Sequence, residues 1–203
     1  VQMTHMELQG ALINAQRYLE IGNRSSGGGY PLMIAARGDA KAARNDQTQT
    51  PEFKRWFGDS VVTDNGKPMS EGGKPMVVYH GTKGDFDAFD ASKQDPRDAG
   101  FWFGSKGASG SYAASSRPSG ENVMPVYLSI KNPKVYYNRD VKITPTLIEQ
   151  LTHEGYDGVL RDFAAGPDAW RYGADAAPEW ATFNPTQIKS AIGNNGNFDA
   201  SNP

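Results

Sequence analysis

Seven short apolar runs are spaced along the sequence between residues 76 and 191. Two segments rich in Gly, Pro and Asp, DNGKP (64–68) and GGKP (72–75), precede the first run and are typical of turns. Two helical patterns, at about Lys106–Ala114 and Pro145–His153, interrupt the runs. Because strands and helices do not alternate regularly, the pattern predicts an α+β fold with largely antiparallel sheets. The predicted strands are Met76–His80, Gly100–Phe103, Val123–Ile130, Val135–Tyr137, Gly155–Leu160, Trp180–Phe183 and Gln187–Ala191.

The first 49 residues differ in character from the rest of the chain. Residues 1–22 carry apolar side chains at helical spacing, and a Gly-rich linker, GNRSSGGGYP, follows them. The pattern changes at TPEFKRWFG, where Thr50 can cap a helix that Gly58 ends. We therefore divide the chain into an N-terminal helix with a flexible linker (1–49), one domain (50–194) and a C-terminal tail (195–203).

Composition excludes several classes of function. The 21 basic and 23 acidic residues leave a net charge of −2, with no long run of one sign, which argues against broad nonspecific binding to nucleic acid or acidic membranes. No apolar stretch approaches the length of a membrane span. The lack of cysteine excludes disulfides, thiolate metal sites and cysteine nucleophiles, and with only three scattered histidines the sequence argues against a zinc site. Phosphate-loop, Rossmann, zinc-protease and serine-hydrolase motifs are also absent from the sequence.

Three local patterns could carry chemistry. YHGT (79–82) ends the first strand, GFWFGSKGASGSYAA (100–114) runs from an aromatic strand into a small-residue helix, and PEWATFNPTQIKSA (178–191) places Glu179 at the start of an apolar strand. Each pattern alone is more often structural: a strand histidine is usually hydrogen-bonded in place, strand aromatics are usually core, and a glutamate at a strand start is usually solvated.

Taken together and in this order, the three patterns resemble the His-Tyr-Glu branch of the mono- and poly-ADP-ribosyltransferases. YHGT resembles the first motif of the diphtheria-toxin-like enzymes, GFWF…SGSYAA is similar to the polymerases' aromatic segment, and EWATFNPTQIK resembles their glutamate strand. The stretch from about residue 50 to 199 also resembles ADP-ribosyltransferase domains of phage polyvalent proteins and bacterial toxins. The resemblance implies split, mostly antiparallel sheets with short flanking helices and a cleft for NAD.

The resemblance also implies roles for individual residues. Glu179, His80 and Tyr112 would be catalytic. Glu179 would hydrogen-bond the nicotinamide ribose and stabilise an oxocarbenium-like transition state, His80 would donate to the adenosine ribose, and Tyr112 would stack on nicotinamide. Gly81, having no side chain, would let its backbone approach the carboxamide closely. The implied NAD-contacting set is His80, Gly81, Thr82, Trp102, Phe103, Ser109 and Tyr112.

Two loops and two departures from the relatives' residues add to this interpretation. The segment Lys83–Ala99 is the expected lid over NAD, and the loop Arg161–Pro178 is the expected acceptor-recognition loop. Ala177 stands where arginine-directed relatives carry a second Glu or Gln, which argues against arginine as the acceptor. Trp102 stands where many relatives have tyrosine, which replaces a hydroxyl by an indole N–H. The expected acceptor-binding residues are Trp170, Arg171 and Tyr172.

We therefore expect a mono-ADP-ribosyltransferase that uses NAD as co-substrate, without a metal, and modifies a macromolecule, with protein favoured over RNA. A toxin or phage effector of this kind would be secreted or injected and act in the cytosol of a target cell, or otherwise be cytoplasmic; an immunity protein could accompany it, and no membrane is involved. The alternatives are an NAD glycohydrolase, a nucleic-acid ADP-ribosyltransferase on the same fold, and an inactive relative used as a binding module. The joint presence of His80, Tyr112 and Glu179 argues against the inactive relative.

Overall fold

The computed structural model describes residues 47–82, 86, 88–109, 122–167, 169–172, 176–194, 196 and 198–199. Its strands are β1 (Val78–Thr82), β2 (Phe101–Phe103), β3 (Asn122–Leu128), β4 (Pro133–Tyr136), β5 (Gly158–Arg161), β6 (Glu179–Thr182) and β7 (Ile188–Ser190). Its α-helices are α1 (Pro51–Phe57), α2 (Pro145–His153) and α3 (Ala169–Tyr172), with a further helical stretch at 106–109. Short 3₁₀ turns lie at Gln47–Gln49, Met69–Glu71, Ala91–Lys93 and Pro185–Gln187.

The strands form two sheets, as the α+β prediction requires. One sheet has the order β1-β3-β7 and is antiparallel throughout, and the other has the order β2-β6-β5-β4. The seven predicted strands are all present with shifted bounds, and α2 has the predicted bounds. Only the β4–β5 pair, among the described strands, is parallel, and α2 lies in the connection between the two. This crossover is what a parallel pair needs, because a tight turn can join only antiparallel neighbours.

The four-stranded sheet is covered on both faces. One face places Phe103, Leu160 and Trp180 in the main core, together with Val126 and Leu128 of the other sheet. On the opposite face, side chains of β5 and β6 pack with residues around α2 to form a second cluster: Val159, Ala181, Ile143 and Leu151. Because side chains alternate along a strand, Glu179 lies on the face of Ala181, away from the face that buries Trp180.

Helix α1 begins and ends where the sequence predicts. The Thr50 hydroxyl accepts a hydrogen bond from the Phe53 N–H at 3.2 Å, and Gly58 ends the helix with φ 53°. The helix buries Phe53, Trp56 and Phe57 against Tyr127 of β3, and Phe198, from the segment predicted as a tail, joins this cluster.

Residues just before α1 also pack on the domain. Thr48 is buried, and the Gln47 side chain donates a hydrogen bond to the Ala191 carbonyl at 2.6 Å. The predicted N-terminal helix and its linker lie outside the described residues, and the division of the chain into three parts stays a prediction. No helix in the described ranges combines the length and apolar character that crossing a membrane would need.

Candidate active site

Strand pairing brings the three motifs together at Gly104. Strand β2 pairs with β6 so that Phe103 lies opposite Trp180, which places Gly104 at the level of Glu179. Gly104 also exchanges two backbone hydrogen bonds, of 3.0 and 2.9 Å, with Tyr79 of β1. Since His80 follows Tyr79, the His-Gly motif and the glutamate strand meet on either side of one glycine.

Ser109 packs directly against the His-Gly motif. A Cβ atom added to Gly81 would lie 2.1 Å from the Ser109 carbonyl oxygen. The Ser109 hydroxyl donates a hydrogen bond of 2.6 Å to the Tyr79 carbonyl, and the residue is buried. Packing within the protein therefore already requires a glycine at position 81, independently of any approach to the nicotinamide carboxamide.

His80 is held in one tautomer. Its Nδ1 atom lies 2.8 Å from the Trp102 carbonyl, which can only accept, so Nδ1 carries the proton. Burial lowers the pKa of His80 below its usual 6.5, against the opposing effect of the Trp102 hydrogen bond. The ring is therefore neutral at pH 7 and its Nε2 is an acceptor. This corrects the expectation that His80 donates: Nε2 would instead accept a hydrogen bond from a ribose hydroxyl.

Aromatic rings enclose His80 and account for its desolvation. The ring centroids of Phe86, Phe89 and Phe103 lie 6.1, 5.1 and 5.5 Å from that of His80. Phe86 and Phe89 belong to Lys83–Ala99, the segment expected to be a lid. Phe89 also contacts Phe101, with centroids 5.4 Å apart, so this part of the segment is anchored beside the histidine.

Glu179 begins β6 with a side chain that is 25% exposed, between two arginines. Arg139, from the turn after β4, forms an ion pair with Oε1 and is itself 57% exposed. Its guanidinium lies 4.7 Å from the centroid of the Phe163 ring. Arg161, at the end of β5, places Nη1 3.7 Å from Oε2 and is only 4% exposed. The carboxylate thus lies between a solvated cation and a buried one.

Sequence reasoning missed both arginines and the partner of one of them, Asp98. Arg161 donates to the two Asp98 carboxylate oxygens at 2.8 and 3.3 Å. The signal that could have identified Arg161 is its place at the end of the apolar strand GVLR, since arginine is rarely buried without a partner. Arg139 lies in a polar turn and has no such signal.

The residues expected to recognise the acceptor lie on α3. Trp170 is 80% exposed, and Arg171 forms an ion pair of 3.3 Å with Asp140. Tyr172 packs on Phe163, and its hydroxyl accepts a hydrogen bond from the Arg139 N–H. Helix α3 therefore contacts the turn that carries Arg139 to Glu179.

The remaining predicted residues have different positions. Thr82 is half-buried at the end of β1, Phe103 is buried beneath His80, and Trp102 is half-buried with its ring against Arg161. Tyr112 lies outside the described residues, so its predicted place in the site stays a prediction. Within the ranges that the structure describes, no three His, Asp or Glu side chains are grouped so that they could hold a metal ion.

Comparison with known proteins gives one match. A protein-family model described as ADP-ribosyltransferase in polyvalent proteins matches residues 70–198, well over half of the chain. No individual curated protein and no solved structure matches significantly. The matched range includes β1 to β7, and therefore His80, Gly104, Arg161 and Glu179.

Proposed function

Because the chain belongs to the family of ADP-ribosyltransferases in polyvalent proteins, we propose that it cleaves NAD and transfers the ADP-ribosyl group to a macromolecule, with protein as the favoured acceptor. The observation that carries this proposal is the convergence on Gly104, where the His80 motif of one sheet meets the Glu179 strand of the other. A partly exposed carboxylate there could stabilise positive charge on a ribose, and a neutral histidine could accept a hydrogen bond from a ribose hydroxyl.

The residues present fit NAD as the donor substrate. His80 Nε2 would accept a hydrogen bond from the adenosine ribose, because Nδ1 is committed to the Trp102 carbonyl. Gly81 and Thr82 would border the nicotinamide end, with Tyr112 stacked on its ring. Phe103 packs against His80, and Trp102 packs against Arg161. Neither aromatic residue would need to touch NAD, because each would support a residue of the site.

The chemistry that Glu179 would assist is cleavage of a glycosidic bond. The bond between C1′ of the ribose and the nicotinamide nitrogen breaks, and its electron pair leaves with nicotinamide, so positive charge develops on the ribose. The Glu179 carboxylate would hydrogen-bond a ribose hydroxyl and stabilise that charge. The nucleophile of the acceptor then forms the new bond to C1′ and loses its proton to solvent or a base.

We propose that residues of α3 bind the acceptor. Trp170 exposes a large aromatic side chain, and the neighbouring Tyr172 contacts the turn that carries Arg139. Exposed aromatic side chains of this kind are common anchors in protein recognition. We further propose that the protein is a toxin or phage effector acting in the cytosol of a target cell, with an immunity protein as a further partner.

The first experiment identifies the acceptor. The full chain is incubated with NAD labelled in its adenylate part, together with a bacterial lysate. Label that becomes attached to protein supports the proposal. Label on nucleic acid would support the nucleic-acid alternative, and free ADP-ribose alone would support an NAD glycohydrolase. If the wild-type protein does not consume NAD under any condition, the proposed activity is wrong and the chain is a binding module.

The second experiment tests Glu179 by substitution. Glu179→Gln removes the negative charge and should lower NAD turnover on the order of 100-fold or more, with NAD affinity and thermal stability retained. Glu149→Gln, on the exposed surface of α2, is the matched control and should behave as the wild type. Near-normal turnover by Glu179→Gln would contradict the assignment, whereas a large fall in melting temperature would indicate a structural role.

A further inference from the structure

Arg161 is a buried cation whose two terminal nitrogens are hydrogen-bonded while its Nε is not. Its guanidinium donates to both oxygens of Asp98 and, at 3.0 Å, to the Val141 carbonyl. The Nε atom finds no acceptor among the described residues, so part of its hydrogen-bonding capacity is lost on burial. Burying a charge in this way is costly, and an apolar residue at the same place is often at least as stable. The fold alone therefore does not explain why an arginine is present.

The Trp102 ring supports Arg161 from below. The guanidinium carbon lies 3.9 Å from the ring centroid, and the indole nitrogen donates to the carbonyls of Asp98 and Ala99 at 3.2 and 3.1 Å. Tryptophan has the most favourable aromatic face for a cation. The indole at this position, where many relatives of the resembled family have tyrosine, thus gives the arginine a rigid platform.

The pairing register directs this fixed cation at Glu179. Arg161 of β5 lies directly opposite Glu179 of β6, and its Nη1 is 3.7 Å from Oε2. Arg139 approaches the other oxygen, Oε1, from the exposed turn after β4. Among the described residues, the charged groups around the carboxylate are Arg161, Arg139 and, behind Arg161, Asp98.

We propose that Arg161 is a positioning residue that fixes the Glu179 carboxylate for cleavage of NAD. This rests on the function proposed above. A glutamate side chain has three rotatable bonds, and a charge that must face C1′ of the ribose works best when little reorganisation is needed. Arg161 cannot move away, because Asp98, Val141 and Trp102 hold it. Arg139 is 57% exposed, so a ribose hydroxyl can replace its hydrogen bond to Oε1, while the buried Arg161 stays beside Oε2 as an ion-pair partner at 3.7 Å.

Steady-state kinetics of NAD hydrolysis by the 203-residue chain test this proposal, with NAD affinity measured separately by calorimetry. Arg161→Gln should lower kcat on the order of 10- to 100-fold while changing the Kd for NAD less than about threefold. Arg161→Lys keeps the charge and should recover part of the loss. Arg55→Gln, on the exposed face of α1, is the control and should match the wild type.

Asp98→Asn provides a second route if Arg161→Gln fails to fold. The Asp98 side chain is 31% exposed and asparagine has the same shape, so this variant should fold, and it loosens Arg161 without touching Glu179. We expect a smaller loss of kcat, again with unchanged NAD affinity. Wild-type kcat in both variants, or a loss confined to NAD affinity, would overturn the positioning role. The proposed function fails separately, when wild type and Glu179→Gln consume NAD equally slowly.

Discussion

Replacing Gly81 by alanine tests the packing at the centre of the site. The added Cβ would lie 2.1 Å from the Ser109 carbonyl oxygen, about 1 Å closer than such atoms approach in proteins. Ser109 cannot move away without cost, because its N–H is bonded to the Ser105 carbonyl and its hydroxyl to Tyr79. Overpacking of this kind costs about 1–3 kcal/mol, and loss of the Ser109–Tyr79 hydrogen bond about 0.5–1.5 kcal/mol more.

We therefore expect Gly81→Ala to lower the free energy of unfolding by about 2–4 kcal/mol, which for a chain of this size lowers Tm by roughly 5–15 °C. Thermal and urea denaturation measure both quantities. Gly107→Ala is the matched control, because a Cβ there meets no atom within 4 Å and alanine favours a helix by about 0.5–1 kcal/mol. If Gly81→Ala melts like the wild type, the contact between Gly81 and Ser109 is wrong, and with it the packing of the 106–109 helix on β1.

Three further predictions concern other parts of the chain. Tyr112→Ala should weaken NAD binding by about 1–3 kcal/mol in calorimetry, and an unchanged affinity would remove Tyr112 from the site. Deleting residues 1–46 should preserve a cooperative melt, whereas deleting residues 1–58 should abolish it, because the second truncation removes buried Phe53 and the rest of α1. Burial raises the pKa of Asp162 above 3.8, so its contribution to stability is lost as pH rises through the folded pKa. Asp162→Asn should therefore raise the free energy of unfolding at pH 7 and leave it unchanged well below pH 3.8, and equal effects at both pH values would contradict this.

Local signals accounted for the parts of the fold that were predictable. Helix α2 matched its predicted bounds because the Thr144 hydroxyl caps it at the Leu147 N–H and its apolar side chains share a face. The strands were predictable because each is a short apolar run between turns. Their order in the sheets was not, since it depends on register between distant segments, such as the parallel pairing of β4 with β5.

The sequence identifies candidate site residues only where a motif contains them. His80 and Glu179 stand in recognisable patterns, and the structure brings their strands to one junction. Arg161 is held in place by hydrogen bonds to Asp98, which is 63 positions away in the chain, and no local sequence pattern links the two. The hydrogen-bonding role of His80 also depends on a distant residue, because its Nδ1 lies against a carbonyl of β2, 22 positions further along.

In the proposed site, the group that would bind the adenosine end of NAD and the groups that would assist its cleavage lie in different sheets, which meet at Gly104. His80 belongs to the three-stranded sheet, whereas Glu179 and Arg161 belong to the four-stranded one. Changes that shift β1 would alter how strongly the adenosine end is held, and changes that shift β5 or β6 would alter how fast the glycosidic bond breaks. The affinity for NAD and the rate of its cleavage would then evolve on separate parts of the chain, with Gly104 as the point where the two must stay in register.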